Sequence, residues 1–386
     1  MELFLEHGYT SINKFGEELC GDMVESDVSG EYTTIVLADG LGSGVKANIL
    51  ATLTSKILCT MISNEVSLED CIETIIQSLP ICKERGISYS TFSVIHVNKS
   101  GEGHLFEFDN PQAIYYHKGK CIDFNRRELN VCGKRVYETV LSLEENDVVM
   151  VMSDGVIHAG IGMILNFGWD RKQIMDYLDK KITPKMSARC IAHILASASN
   201  DLYVENPGDD TTVAALKIRK RLDVNIMVGP PIDKENDNQH VKQFLDGDGK
   251  KIVCGGTSSQ IVARYLDKPL NTYLDFPDKD IPPIGYINGI DLVTEGVITL
   301  RRLVELSDKY ISASDLTPKL YNKTDGASLL ANILFEEATN IHFFVGQNVN
   351  KAHKGLPLDT TMKLKLIEKI SQNLKKMGKC VEVDYD

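Results

Sequence analysis

Two apolar runs in this chain end in the same pair of residues, Asp-Gly. The first is Thr33-Thr34-Ile35-Val36-Leu37-Ala38 before Asp39-Gly40, and the second is Val148-Val149-Met150-Val151-Met152-Ser153 before Asp154-Gly155. The first run is β-branched or apolar throughout and the second is apolar as far as Met152; both read as buried strands. An acid where such a strand ends, beside a turn carrying Gly40, Gly42 and Gly44, holds a carboxylate at a sheet edge while the backbone comes close to something. Asp-Gly is also the commonest hairpin turn. Asp246-Gly247, Asp248-Gly249 and Asp325-Gly326 lack a preceding apolar strand and read as ordinary turns. Two further acidic positions stand at comparable places: Asp22 after Cys20-Gly21, and Asp209-Asp210 before the apolar run Thr212–Ile218. Hard cations such as Mg²⁺ and Mn²⁺ take carboxylate, carbonyl and water oxygens. No His or Cys cluster has zinc spacing. Two such ions held close together make hydroxide from bound water and clamp the oxygens of an in-line phosphoryl transfer.

The elements that must position these acids follow from hydrophobic periodicity. Residues 1–32 read as one or two strands around a turn. Helical spacing covers 45–63, with Ser43 as its cap, and 67–79, where Ser67 and Asp70 form a capping box. Strands follow at 90–97, 104–108 and 113–117, with Asn110-Pro111 turning the chain between the last two. After the strand at 148–153 come helices at 170–180 and 187–200, then the strand 212–218. Strand runs interrupted by helix pairs indicate an α+β layered sandwich. Beyond Arg219-Lys220-Arg221 strands and helices alternate. Strands fall at 224–228, 251–254, 289–293, 341–345 and 380–384, and helices at 235–245, 258–266, 297–307, 326–339 and 359–377. That is the pattern of a parallel, helix-covered sheet. The boundary falls near Lys220, dividing the chain into residues 1–219 and 220–386.

The formal net charge of -12 argues against nucleic-acid binding and against a polybasic membrane surface. Nine cysteines without a Cys-x-x-Cys pair suit a reducing cytoplasm with mostly buried thiols. No run of the about 18 apolar residues that span a bilayer is expected, and the chain reads as cytoplasmic.

The ordered set Cys20-Gly21-Asp22, Ala38-Asp39-Gly40-Leu41-Gly42-Ser43-Gly44, Asn110-Pro111-Gln112-Ala113, Ser153-Asp154-Gly155-Val156 and Gly208-Asp209-Asp210-Thr211-Thr212-Val213 resembles the metal-dependent type 2C Ser/Thr protein phosphatases. The likeness is to their bacterial branch, typified by the stage II sporulation protein E phosphatase, and covers roughly the first 218 residues. It implies an α+β phosphatase sandwich, two antiparallel sheets between pairs of helices, followed here by a smaller α/β domain with a mostly parallel sheet. It implies that Asp39 bridges two Mn²⁺ or Mg²⁺ ions and that Asp22 and the Gly40 carbonyl help hold one of them. Asp154 and Asp209 would complete the sites, with Asp210 as an outer ligand or as a weak ligand of a third ion. Asp39, Asp154 and Asp209 are the catalytic set, and a hydroxide bridging the ions would attack phosphorus directly. Leu41 stands where animal and plant members carry a histidine, as in the bacterial branch. The phosphate-gripping arginine of eukaryotic members has no counterpart near the N-terminus. His158 is a candidate by proximity only.

The resemblance does not explain residues 221–386. Small polar turns close its strands: Gly229-Pro230-Pro231, Gly255-Gly256-Thr257-Ser258-Ser259, Thr294-Glu295-Gly296 and Gly346-Gln347-Asn348. In a parallel sheet these lie at strand carboxyl ends, where ligands bind. Gly255, Gly256, Thr257 and Ser258 precede a helix and can offer backbone N–H groups to an anion or a partner. The stretch is neither a Walker motif nor a dinucleotide fingerprint. The expected function is metal-dependent hydrolysis of phosphoserine or phosphothreonine in a regulatory protein, with the second domain regulating or recruiting. The alternatives are a phosphatase of a small phosphorylated metabolite and a catalytically silent adaptor. A homodimer is one option for assembly.

Overall fold

The computed structural model describes residues 3–28, 30–78, 90–272, 282–312, 323–348 and 358–386. Two compact units divide the chain, Met1–Lys220 and Arg221–Asp386.

The first unit runs β1 (Leu3–Ile12), β2 (Asp22–Asp27), β3 (Tyr32–Gly40), α1 (Gly44–Ser63), α2 (Leu68–Ser78), β4 (Ser90–Asn98), β5 (Glu102–Phe108), β6 (Ile114–His117), β7 (Lys120–Ile122), β8 (Arg127–Val131), β9 (Lys134–Ser142), β10 (Val148–Met152), α3 (Asp154–Ile157), α4 (Arg171–Lys181), α5 (Ala188–Leu202) and β11 (Thr211–Lys220). These strands make two antiparallel sheets, ordered β1-β11-β10-β6-β7 and β2-β3-β4-β5-β9-β8. Side-chain alternation sorts the apolar residues into three layers. On β3, Val36 and Ala38 pack under α1 and α2, while Ile35 and Leu37 meet the other sheet. On β10 and β11, Met150, Met152, Val213 and Ala215 face α4 and α5, while Val149, Val151, Ala214 and Leu216 face the first set. Strands covered on both faces need apolar residues at every position, which is why β3 and β10 read as unbroken apolar runs. Full burial of each Ile or Leu there contributes roughly 1.5–3 kcal/mol.

Several local readings need correction. Ser43 stands at the N-cap of α1, but its hydroxyl donates to Glu17 Oε1 at 3.0 Å instead of receiving a helix N–H. Half of the Ser67–Asp70 box forms: Asp70 N donates to Ser67 Oγ at 3.1 Å, but Asp70 Oδ2 accepts the Ser67 hydroxyl, at 2.8 Å, in place of the Ser67 N–H. Residue 79, the end of the helix read there, lies outside the described residues. Asn110-Pro111 does lie between β5 and β6 as read, and that connection carries the chain from one sheet to the other. Strands β7, β8 and β9 were not legible. The β8–β9 hairpin turns on Cys132 and Gly133, both at positive φ (49° and 75°), a type I′ geometry that usually shows as Asn-Gly. Among the described residues, α1 is the one helix long and apolar enough to cross a membrane, contrary to the expectation that none would be. Leu50, Ala51, Leu58, Cys59 and Ile62 on that helix are buried in the core of the first unit.

The second unit runs β12 (Asp223–Val228), α6 (Asp237–Asp246), β13 (Lys250–Cys254), α7 (Gly256–Leu266), β14 (Asn271–Thr272), β15 (Gly285–Tyr286), β16 (Leu292–Thr294), α8 (Val297–Ser312), α9 (Gly326–Asn332), β17 (Asn340–Val345), α10 (Leu358–Lys376) and β18 (Cys380–Tyr385). Its sheet is ordered β14-β15-β16-β13-β12-β17-β18, parallel from β16 to β18 with a short antiparallel extension at β14 and β15. Residues of α8, α9 and α10 bury one face (Leu303, Leu330, Ile370), and residues of α6 and α7 bury the other (Phe244, Val262). The helix read over 326–339 gives way at Ile333–Glu337 to a π turn. Asp325, read as part of a plain turn, caps α9 by accepting Ser328 N at 2.9 Å.

Candidate functional site

Strand register brings the first two acids together. Asp22 pairs with Asp39 directly across β2 and β3. Both follow the alternation of Val24 and Leu37, which lie between the sheets, so both carboxylates stand at one end of the intersheet layer. Ser153, just past β10, donates N–H to Thr212 O at 2.9 Å, and its Oγ accepts Thr212 N at 2.9 Å. This lock ties the start of α3, where Asp154 is the first residue, to the loop carrying Asp209 and Asp210. The two Asp-Gly glycines serve close packing. A Cβ on Gly40 would lie 2.0 Å from Ala47 O of α1, and one on Gly155 would lie 2.1 Å from Asp210 O. The second pair therefore presses the α3 turn onto the Asp209-Asp210 loop.

Asp22 is 3% exposed and Asp210 is 4% exposed. Neither oxygen of Asp22 has a hydrogen-bond partner, and Asp210 Oδ2 has none either. Asp210 Oδ1 accepts Lys14 N at 3.0 Å, and Asp209 Oδ1 accepts Asp210 N at 3.0 Å. Orphaned buried carboxylate oxygens carry a large desolvation cost. Burial pushes the Asp39 carboxyl well above the usual range, and Asp22, Asp154, Asp209 and Asp210 push it further in the same direction. Burial likewise raises Asp22. The Ser153 and Thr212 hydroxyls oppose that rise without meeting hydrogen-bond geometry, and Asp210 and Asp154 add to it. Asp209 is raised by burial and by Asp154. The five acids thus feel one another as a single cluster of negative charge.

The donor set is all oxygen, which suits a hard divalent cation. Among the described residues no three His, Cys, Asp or Glu side chains stand together as a group that could hold a metal ion by themselves. A Mg²⁺-like ion needs no such group, since it is held by one or two carboxylates and keeps several waters. The residues present therefore fit such ions, and the unsatisfied oxygens of Asp22 and Asp210 are where added positive charge would be most favourable.

Further neighbours complete the surroundings: Lys14 and Tyr203, which the sequence did not mark, and Asn110 and His158, which it did. The charge of Lys14 partly opposes the rise of the Asp209 carboxyl. Tyr203, at the end of α5, donates its hydroxyl to Gly155 O at 2.8 Å. Asn110 reaches β4 beside Asp39: Thr91 Oγ1 donates to Asn110 Oδ1 at 2.5 Å, and Thr91 is the register partner of Asp39. His158 Nδ1 lies 3.8 Å from Asp154 Oδ2, both side chains about half exposed. After α3 the chain forms a loop that exposes Ile161, Met163, Ile164 and Phe167, the last at 96%.

No curated protein matches the chain. Among solved structures, the phosphatase domain of SpoIIE from Bacillus subtilis is 17% identical, with a TM-score of 0.44, over 56% of this chain and 93% of its own. RsbX in complex with magnesium is 18% identical, with a TM-score of 0.39, over 55% of this chain and 95% of its own. The PPM Ser-Thr phosphatase MsPP from Mycobacterium smegmatis, in complex with cacodylate, is 14% identical, with a TM-score of 0.39, over 55% of this chain and 97% of its own. Residues 29–219 match the model of the stage II sporulation protein E family, and the N-terminal unit of this chain belongs to that branch of the metal-dependent PPM phosphatases.

Proposed function

We propose that the N-terminal unit hydrolyses phosphoserine or phosphothreonine in a regulatory protein, using Mn²⁺ or Mg²⁺. The observation that carries this reading is the cluster of five aspartates contributed by strand ends of both sheets, two of them buried with orphaned oxygens. Two divalent cations in such a site supply an activated water and neutralise charge on the phosphoryl oxygens. Asp39 would be the ligand shared between them. Asp22 and the Gly40 carbonyl would serve one ion, Asp154 and Asp209 the other, with Asp210 behind them. The β2–β3 register orients Asp22 against Asp39, and the Ser153–Thr212 lock holds Asp154 near the Asp209 loop. Lys14 would offset negative charge on a bound phosphoryl group. The exposed apolar loop from Ile161 to Phe167, continuous with α3, favours a protein chain over a small polar metabolite as substrate. The second unit would regulate the first or recruit its target.

Hydrolysis of p-nitrophenyl phosphate by the full chain, titrated with Mn²⁺ and with Mg²⁺, tests this. The expected result is metal-dependent turnover, abolished in Asp39→Asn. In Asp154→Asn and Asp209→Asn half-maximal activity should shift to about tenfold or more higher metal. Wild-type turnover by Asp39→Asn at saturating Mn²⁺ would overturn the assignment. No turnover under any metal would favour an adaptor. Phosphopeptide and metabolite panels then separate the two enzyme readings.

A further inference from the structure

In the second unit the strand order β16-β13-β12-β17-β18 reverses direction at β12, so successive crossovers leave on opposite sides. At the carboxyl ends of these strands lies a cavity of about 650 Å³ bordered by Gly255, Gly256, Thr257, Ser258, Glu295 and Lys363. A switch point of this kind is where open α/β sheets bind ligands, and the volume is that of a small-molecule site.

We infer that this cavity binds a phosphorylated small molecule of about mononucleotide size, with its phosphate on the N-terminus of α7. Helix α7 has 11 residues, and its N-cap, Gly255, brings no side chain to the first-turn N–H groups. Gly255 has φ 119°, which reserves the position for glycine. A Cβ on Gly256 would meet nothing within 4 Å, so packing does not require glycine there and open space lies above the helix end. Ser258 is fully buried, borders the cavity, and has an Oγ without a hydrogen-bond partner. That oxygen lies 3.5 Å from where a Gly255 Cβ would stand, on the side of the glycine turn. A buried hydroxyl without a partner costs stability unless something fills the role. Lys363, buried at 8% exposure, adds a cation and is positioned by donating to Gly346 O. The other helix end at the cavity, α8, is already capped: Glu295 Oε2 accepts Ile298 N at 3.0 Å. The anion is therefore steered to α7 and away from the Glu295 carboxylate. Val297 and Ile298 offer an apolar wall for the rest of the molecule. Backbone N–H groups and a hydroxyl at one helix end, with a lysine bordering the same cavity, form the donor set that a phosphate monoester takes up.

The test is calorimetric titration of the full chain with inorganic phosphate, ribose 5-phosphate and AMP. It is run in chelator, so that the acid cluster of the first unit takes no part. Inorganic phosphate should bind weakly, and at least one of the two esters should bind more tightly and be displaced by phosphate. Ser258→Ala should weaken that ester about tenfold, the worth of one hydrogen bond to a charged group. Gly256→Ala puts its methyl into the open space where the phosphate would sit. It should fold normally by circular dichroism yet abolish binding. Absence of binding by all three probes overturns the inference. So does ester binding no tighter than that of inorganic phosphate, or ester binding unchanged in both variants.

Discussion

With divalent ions chelated, Asp39→Asn should make the N-terminal unit more stable than wild type, although the same change removes its response to metal. Asp22 and Asp39 are opposed in register, which places their β-carbons about 5 Å apart. Two full charges at that separation repel by about 3 kcal/mol at an effective dielectric of 20. Partial protonation of a cluster whose carboxyls are raised by burial and by one another reduces this, and about 2 kcal/mol is the expected gain on replacing one of them. For a unit of this size that raises the Tm by about 4–8 °C. The sign with pH follows from the direction of the shifts. A raised carboxyl means that the fold prefers the protonated acid. Its stabilising contribution is complete below the unfolded value of about 4 and is lost as pH rises through the folded value. The advantage of Asp39→Asn in chelator should therefore widen as pH is raised above 5. In Mn²⁺ the order reverses, since an ion at a hundredfold excess over its Kd adds about 2.7 kcal/mol to wild type. Trp169 is the chain's one tryptophan and is buried among residues of the first unit, so its fluorescence during heating reports that unit. A lower Tm for Asp39→Asn in chelator, or an equal rise with Mn²⁺ in both proteins, would refute the claim that these acids repel one another and await a cation.

Two further outcomes test the surroundings of the site. Phe167→Ala removes a side chain 96% exposed, so the Tm should not move. Its kcat/KM for a phosphoprotein should fall severalfold while p-nitrophenyl phosphate hydrolysis stays unchanged; a matching loss on both substrates would count against a docking role for the loop. Gly155→Ala drives a methyl into Asp210 O and Thr211 Oγ1, at 2.1 and 2.6 Å. The expected cost is about 2 kcal/mol, read as a lower Tm by Trp169 fluorescence together with a weakened Mn²⁺ response; wild-type stability would mean that the turn and the loop are not pressed together.

The sandwich was legible where strands are covered on both faces. Strands β3 and β10 had to be apolar at every position, and the acids terminating or preceding such runs stood out against that background. The alternating second unit was legible for a similar reason, since each strand and each helix carries its own period. Strands β7 and β8 escaped because they are short, and β9 because several of its residues face water: Val140 on β9 is 73% exposed, and Cys132 before it occupies a turn position that usually announces itself as Asn. The amino-acid types, their order and their local periods determined two strand-end Asp-Gly turns, an oxygen-only donor set and a Gly-rich helix start. Only the tertiary structure decided that Gly40 and Gly155 are packing residues, that Asp22 faces Asp39, that Lys14 meets Asp210 across 196 positions, and that Ser258 is left without a partner beside an open cavity. Periodicity reports what a residue meets three or four positions away. Strand register and the closure of long loops decide what it meets across the chain, and the charge cluster and the cavity are built from those distant meetings.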